Sequence, residues 1–412
     1  MFNRRAFSLL SLAALTAACV PSGRGSAPRG PSGQTPPPRP VPNAGWDAWV
    51  EGYKTRAAAR GIAPGVINTA FRGAGFLPDV IEKDRNQTEF KRSTEDYLNI
   101  AASDERVSMG RQQFGAYRGV LNALESRYGV DAQIIAAVWG LESFFGTRRG
   151  NVPVISALST LAYEGRRGAF FESQLTAALK ILQRGDTTPG QMVGSWAGAM
   201  GHTQFIPTSY LEYAVDYTGD GRADIWSDDP TDSLASTAAY LSRSGWNRSL
   251  PWGMEVSLPS GFNPGLLGRG KGKSAAEWQT LGVRAVSGRG LVPGSILAPG
   301  GIGGPAFLLT QNFNAILRYN NAENYALGVG HLSDRLAGAG PLAAAFGPDA
   351  NGLTKADRQE LQRLLTARGF DTEGSDGVIG AKSKAAIERF QASRGLAVTG
   401  VPSADLLRIL RS

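Results

Sequence analysis

The sequence predicts a mainly α-helical protein with one large folded unit, a small β or irregular insertion within it, and a small C-terminal module. Three observations carry the prediction. Between Trp46 and Phe346, apolar residues recur at three- and four-residue spacing between breaks marked by Gly or Pro, the period of helices that bury one face. The 412 residues exceed what one ordinary core accommodates. The run Gly347-Pro348-Asp349-Ala350-Asn351-Gly352 then separates a short helical tail from what precedes it.

At the N-terminus, Arg4 and Arg5 precede the apolar run Ala6 to Ala18, which is too short for a permanent transmembrane helix and ends in small residues. That is the pattern of an export signal. The order Asn3-Arg4-Arg5-Ala6-Phe7 is similar to a twin-arginine signal. Cys19, the only cysteine, directly follows Leu15-Thr16-Ala17-Ala18, so no internal disulfide can form, and residues 1–19 read as a lipoprotein signal with Cys19 acylated. Thr16 in place of the usual Leu leaves an ordinary cleavage site open. Val20 rather than Asp, by resemblance to lipoproteins, implies the periplasmic face of the outer membrane. Residues 20–43, dominated by Pro, Gly, Ser and Arg, read as a tether giving reach from a membrane anchor.

Residues 44–347 are the large unit. Stretches Asp131 to Phe145, Phe170 to Gln183 and Ser233 to Ser244 read as helices, and Leu250 to Gly304, rich in Gly and Pro with short β-branched pieces, as small strands or irregular structure. In residues 352–412, Leu361, Leu364 and Leu365 mark one helix and Ala385, Ile387 and Phe390 another. A net charge of +8 and a pI near 9.6 suit a polyanion, either nucleic acid or the carboxylate-bearing cell wall. No arginine-rich helix, zinc-ligand spacing or aromatic RNA-binding motif accompanies the charge, which argues against nucleic acid.

Chemistry concentrates in two segments. In Val138-Trp139-Gly140-Leu141-Glu142-Ser143-Phe144-Phe145-Gly146, a helical reading puts Ile135, Val138 and Phe145 on the same face as Glu142, so its carboxyl projects from apolar surroundings. Desolvation raises a carboxyl's pKa and suits it to donate a proton to a leaving oxygen; a structural pair with an Arg would give the same pattern. In Ser195-Trp196-Ala197-Gly198-Ala199-Met200-Gly201-His202-Thr203-Gln204-Phe205-Ile206-Pro207, Gly198 and Gly201 allow close approach, and Ser195 and Gln204 offer uncharged groups suited to sugar hydroxyl and acetamido groups. Tight helix packing would also explain this segment.

Together the two segments resemble the signature motifs of the membrane-bound lytic murein transglycosylase B family, over about Trp46 to Phe346. Gln87-Thr88-Glu89-Phe90 followed by Tyr97, Tyr240, and Arg318 to Ala326 agree with it. The resemblance implies a lysozyme-like domain that cleaves peptidoglycan between N-acetylmuramic acid and N-acetylglucosamine. Glu142 would protonate the bridging oxygen and then accept the proton of the muramic 6-hydroxyl, leaving an anhydromuramoyl end. No second carboxylate is then needed, unlike an ordinary glycosidase. The same resemblance lines the cleft with Tyr97, Ser195, Gln204, Tyr240, Tyr319, Asn320 and Tyr325. Arg166 and Arg167 could meet a substrate carboxylate, with Arg167 the candidate binder, although solvated arginines are commoner. His202 receives no role.

Asp216, Thr218, Asp220 and Arg222, with Gly221 at the sixth place, follow the order of an EF-hand loop, but its twelfth place is Ser227. The family closes such a loop with a late Asp, here Asp232, implying a structural calcium; an Asx-rich turn stays open. No cofactor is required for the chemistry. Gly268 to Ser274 lacks the first Gly and the preceding strand of a phosphate loop, and two histidines with one signal cysteine give zinc too few ligands. The C-terminal unit, through Leu361-Gln362, Asp376-Gly377-Val378-Ile379-Gly380, Ser383, Phe390-Gln391 and Gly395-Leu396, resembles the three-helix peptidoglycan-binding module. A hydrolytic muramidase and a non-catalytic wall-binding lipoprotein are the competing functions.

Overall fold

A computed structural model describes residues 36–86 and 92–412. The signal, Cys19, most of the tether and Gln87-Thr88-Glu89-Phe90 lie outside the described residues. No described helix is long and apolar enough to cross a membrane. The expected helical character is found, and the chain divides into two compact units.

The first unit comprises residues up to Arg92, Ala101–Trp252 and Gln311–Ala339. Its centre is the helix Ala132–Ser143, in which every residue from Ile134 onward is buried. A helix apolar all round must be surrounded, and it packs on Asp104–Ala116, Arg118–Tyr128, Thr231–Arg243 and Glu323–Leu336. Val154–Glu164 and Gly168–Arg184 pair as a second layer. The expected helices are present with shifted ends: Gly168–Arg184 and Thr231–Arg243 are found, and the first stops at Ser143, two residues early. Phe144 and Phe145 there adopt φ of 50° and 56°, which breaks the helical ladder.

Two strands, β1 (Val152–Pro153) and β2 (Val193–Gly194), form an antiparallel pair with Val152 opposite Gly194. This short clasp brings the segment after Gly194 back beside the end of the Glu142 helix. Gly198 and Gly201 both take positive φ; a Cβ on Gly201 would lie 2.3 Å from the Ile225 carbonyl and one on Gly198 2.5 Å from the Leu158 side chain, so the anticipated close approach is to backbone at Gly201 and to a side chain at Gly198.

The second unit comprises Ser93–Ile100, Gly253–Thr310 and Gly340–Ser412. The expected insertion is a four-stranded antiparallel sheet of β3 (Gly253–Ser257), β4 (Arg284–Ala285), β5 (Ser295–Leu297) and β6 (Ala306–Leu309), in the order β4-β3-β6-β5. Trp278, Phe262, Val256, Ile296 and Leu308 fill its core. The lysine-rich run ending at Ser274 is a helix entry: Ser274 and Glu277 form a capping box on Ala275–Thr280. Three helices, Lys355–Ala367, Ala381–Ser393 and Ala404–Arg411, bury Leu361, Leu365, Ile387, Phe390 and Leu407 together. Arg358 is buried here and bonds Glu95 and Asp349, which explains why Ser93–Ile100 clusters with this unit.

Candidate active site

Glu142 ends a buried helix and is 3% exposed. Its Oε1 accepts a 2.7 Å hydrogen bond from the Tyr325 hydroxyl, supplied by the helix Glu323–Leu336. Tyr319, buried, lies within the field of Glu142: burial, and after it the Glu142 charge, pushes the Tyr319 phenol well above its ordinary range. Tyr319 donates to the Thr203 carbonyl at 2.6 Å, and Tyr240 donates to the Arg318 carbonyl. The rings of Tyr240 and Tyr319 meet edge to face at 4.8 Å, with Phe205 5.8 Å from Tyr319. Asn320 is buried between Tyr319 and Tyr325 in sequence. The structure thus gathers Glu142, Tyr319 and Tyr325 directly, and Tyr240 through Tyr319.

Ser195 and Gln204 sit on the returning segment. The Ser195 Oγ accepts the Ala199 amide at 3.1 Å, and the Ser195 amide donates to the Ala199 carbonyl at 2.7 Å, closing a tight turn. Gln204 takes φ of 54° and donates through Nε2 to the carbonyls of Arg149 and Gly201. Tyr97 belongs to the second unit, half-buried on the helix Thr94–Ala101.

Arg166 is exposed and Arg167 half-buried, and both pair with Asp84. Arg166 donates through Nε to Asp84 Oδ2 at 2.9 Å, Arg167 donates to Asp84 Oδ1, and Asp84 is 3% exposed. Arg167 also lies 4.8 Å over the Phe171 ring. Both guanidinium groups therefore brace Asp84.

The Asp216–Asp232 segment is a loop tied by its own carboxylates. Asp216 Oδ1 accepts the amides of Gly219 and Asp220 and the Thr218 hydroxyl, and its Oδ2 accepts the Gly221 amide. Asp232 reaches back, accepting Tyr217 and Thr218 amides on Oδ1 and Asp224 on Oδ2, while Asp220 accepts from Arg222. Burial raises the Asp232 pKa and the Asp216 charge adds to this, against the lowering by the three amides. The Asp216 and Asp232 carboxylates and the Thr218 hydroxyl are oxygen donors of the type calcium takes. Among the described residues, no three His, Cys, Asp or Glu side chains are grouped as a metal cluster.

The residue that the sequence reading passed over is His202. Trp139 Nε1 donates to its Nδ1 at 3.2 Å, the Ser143 hydroxyl donates to its carbonyl, and its Nε2 lies 2.9 Å from the Ser227 carbonyl. Burial, the largest cause, holds its pKa down at about 4, so it is neutral near pH 7. The one sequence signal was a polar ring inside a run of small residues, which says nothing about partners.

Comparison with known proteins identifies the family. The Transglycosylase SLT domain family matches residues 45–334, and a peptidoglycan binding domain family matches 354–410. Membrane-bound lytic murein transglycosylase B of Escherichia coli (strain K12) is 31% identical over 253 residues, spanning 58% of this chain and 66% of that protein, just under two thirds of its length. The crystal structure of SltB3 from Pseudomonas aeruginosa in complex with NAG-anhNAM-pentapeptide is 45% identical, covers 90% of this chain and 100% of its own, and superposes with a TM-score of 0.72. Escherichia coli Slt35, solved in complex with calcium, is 27% identical over 72% of this chain and 93% of its own, with a TM-score of 0.59. The chain belongs to the SLT-domain family of lytic transglycosylases, with a lysozyme-like helical fold.

Proposed function

We propose that this protein cleaves the bond between N-acetylmuramic acid and N-acetylglucosamine in peptidoglycan, with Glu142 as the sole acid and base. The observation that carries the reading is the buried Glu142 carboxyl, held by the Tyr325 phenol at the end of a buried helix. Glu142 protonates the bridging oxygen, then accepts the proton of the muramic 6-hydroxyl as that oxygen closes on the anomeric carbon. Tyr325 orients the carboxyl, and Tyr319 and Tyr240 hold the wall behind it. Ser195, Gln204 and Asn320 bind the sugars and their acetamido groups, and Tyr97 of the second unit binds sugar as the family resemblance implies. Arg167 stays a candidate for a substrate carboxylate only where such an anion competes with Asp84.

Product chemistry tests this. Sacculi digested by the protein release 1,6-anhydromuramoyl ends by mass spectrometry; reducing muramic ends would mark a hydrolytic muramidase instead, and no release a wall-binding protein. Residues 44–347 act as the catalytic domain and 352–412 as a second contact that raises local concentration on the wall, checked by loss of sacculus pull-down on removing 352–412. Export with acylation of Cys19 places the enzyme in the periplasm at the outer membrane, checked by whether Cys19→Ser leaves the membrane fraction. Calcium braces the loop through Asp216, Thr218, Asp220, Arg222 and Asp232, outside the chemistry.

A further inference from the structure

Four non-glycine residues take left-handed backbone among the described residues: Phe144, Phe145, Gln204 and Glu373. Three of these lie in the two segments that build the Glu142 site. For bulky L-residues this conformation is strained, so surrounding contacts must enforce it. His202 supplies those contacts to the Phe144–Gly146 turn. Its carbonyl receives the Ser143 hydroxyl, whose oxygen in turn accepts the Gly146 amide at 2.9 Å. A Cβ on Gly146 would lie 2.5 Å from His202 Nδ1, so the imidazole fills the inside of the turn. One helical turn earlier, Trp139 donates its indole N–H to the same nitrogen.

That donation fixes the tautomer. With Nδ1 accepting, the neutral ring carries its proton on Nε2 and donates to the Ser227 carbonyl at 2.9 Å. Arg149 Nη1, 3.3 Å from Nε2, converges on the same carbonyl, while Arg149 Nη2 pairs with Asp228 at 2.6 Å. Arg149's own carbonyl receives Gln204 at 3.0 Å. One ring therefore touches the chain on both sides of Glu142 and ties it to the loop ending at Ser227.

We propose that His202 is a positioning residue for the reaction at Glu142, fixing the carboxyl by clamping Trp139 before it and the strained turn after it. The inference rests on Glu142 being the acid and base. The test uses the full chain carrying His202→Ala, His202→Gln, Trp139→Phe or the double change His202→Ala with Trp139→Phe. For anhydromuropeptide release per folded molecule, His202→Ala lowers kcat roughly tenfold to a hundredfold, with KM held within about twofold. His202→Gln, which keeps an amide for Ser227 and an oxygen for the indole, recovers most of the loss. Trp139→Phe lowers kcat comparably, and the double change adds little, because both remove one shared bond.

Unchanged kcat in His202→Ala, a loss confined to KM, or fully additive effects overturns the proposal. If His202→Ala does not fold, Trp139→Phe decides: normal kcat overturns it. A separate readout needs no activity. The Trp139 indole proton, assigned by its disappearance in Trp139→Phe, shifts in the NMR spectrum of His202→Gln; an unmoved resonance overturns the clamp. Inactivity of the unaltered protein on sacculi instead overturns the reading of Glu142, and the resonance test still stands.

Discussion

Two carboxylates in the helical unit are equally hidden and keep opposite company. Asp84 and Glu142 are each 3% exposed. Asp84 accepts from the guanidinium groups of Arg166 and Arg167, whereas Glu142 accepts from the phenol of Tyr325 and has the phenol of Tyr319 in its field. Cations favour the charged form of a neighbouring carboxyl, while phenols donate without bringing charge. The first arrangement suits a fixed brace, and the second suits a group that must gain and lose a proton. Burial alone does not mark the site; the kind of partner does.

The largest expected effects set these two against each other. Glu142→Gln keeps the shape and an acceptor for Tyr325 but removes the transferable proton, so lytic activity falls by about 10²–10⁴-fold while unfolding free energy stays within about 0.5 kcal/mol. Asp84→Ala reverses the pattern. It leaves two arginines without their anion and costs about 2–3 kcal/mol of stability, with kcat per folded molecule unchanged. Muropeptide analysis and urea melts on the two variants read both quantities. A stable, inactive Asp84→Ala, or an unfolded Glu142→Gln, breaks the comparison.

This distinction was only half legible in the sequence. The apolar spacing around Glu142 foretold its burial, since helical period is local. Its partner was not local: Tyr325 lies 183 positions away, and Asp84 lies 82 positions from Arg166. Family resemblance supplied Tyr325, and nothing supplied Asp84, so the two arginines read as binders of a substrate carboxylate or as solvated surface residues. The helix end was misjudged for a physical reason. Two consecutive phenylalanines disfavour left-handed backbone, so only the tertiary clamp through Ser143 and His202 stops the helix at Ser143. The insertion was legible as short strands, but pairing β3 with β6 spans some fifty positions that periodicity cannot bridge.

Buried bases sharpen the comparison from the other side. His202 and His331, the chain's only histidines, are held at a pKa of about 4, chiefly by burial, from an ordinary 6.5. The unfolded chain therefore binds more protons between those values. Stability from both rings is complete above pH 6.5 and is lost as pH falls toward 4, by up to about 1.4 kcal/mol per pH unit per histidine. Urea melts at pH 7, 6 and 5 check this, and His202→Gln removes one of the two contributions. A stability that rises on acidification over that range contradicts the burial of these rings. Smaller again is Tyr325→Phe, which removes the phenol hydroxyl from Glu142 and lowers kcat by roughly five- to tenfold, the worth of about one hydrogen bond. An unchanged rate would mean that the phenol does not orient the acid.

A last effect, on stability and not on rate, concerns another pair of carboxylates, Asp216 and Asp232, which stand between the two extremes. Neither guanidinium nor phenol meets them in the bonds described above; backbone amides do, and the Asp216 charge still raises the proton affinity of Asp232. A divalent cation would relieve that repulsion, whereas the amides already supply much of the order that an ion would bring. Calcium at 100 times its Kd therefore stabilises the fold by about 2.7 kcal/mol at most, and by less where the site is weak and millimolar ion falls short of that ratio. The thermal midpoint should rise with calcium, fall back with chelator, and stay fixed in Asp216→Asn. Because the loop meets the Glu142 helix through intermediates, by Arg149, His202 and the residues from Trp226 to Asp228 and by the helix Thr231–Arg243, kcat should move far less than the midpoint. A calcium-dependent kcat with an unmoved midpoint would put the ion in the chemistry and remove the distinction between brace and acid at this third site.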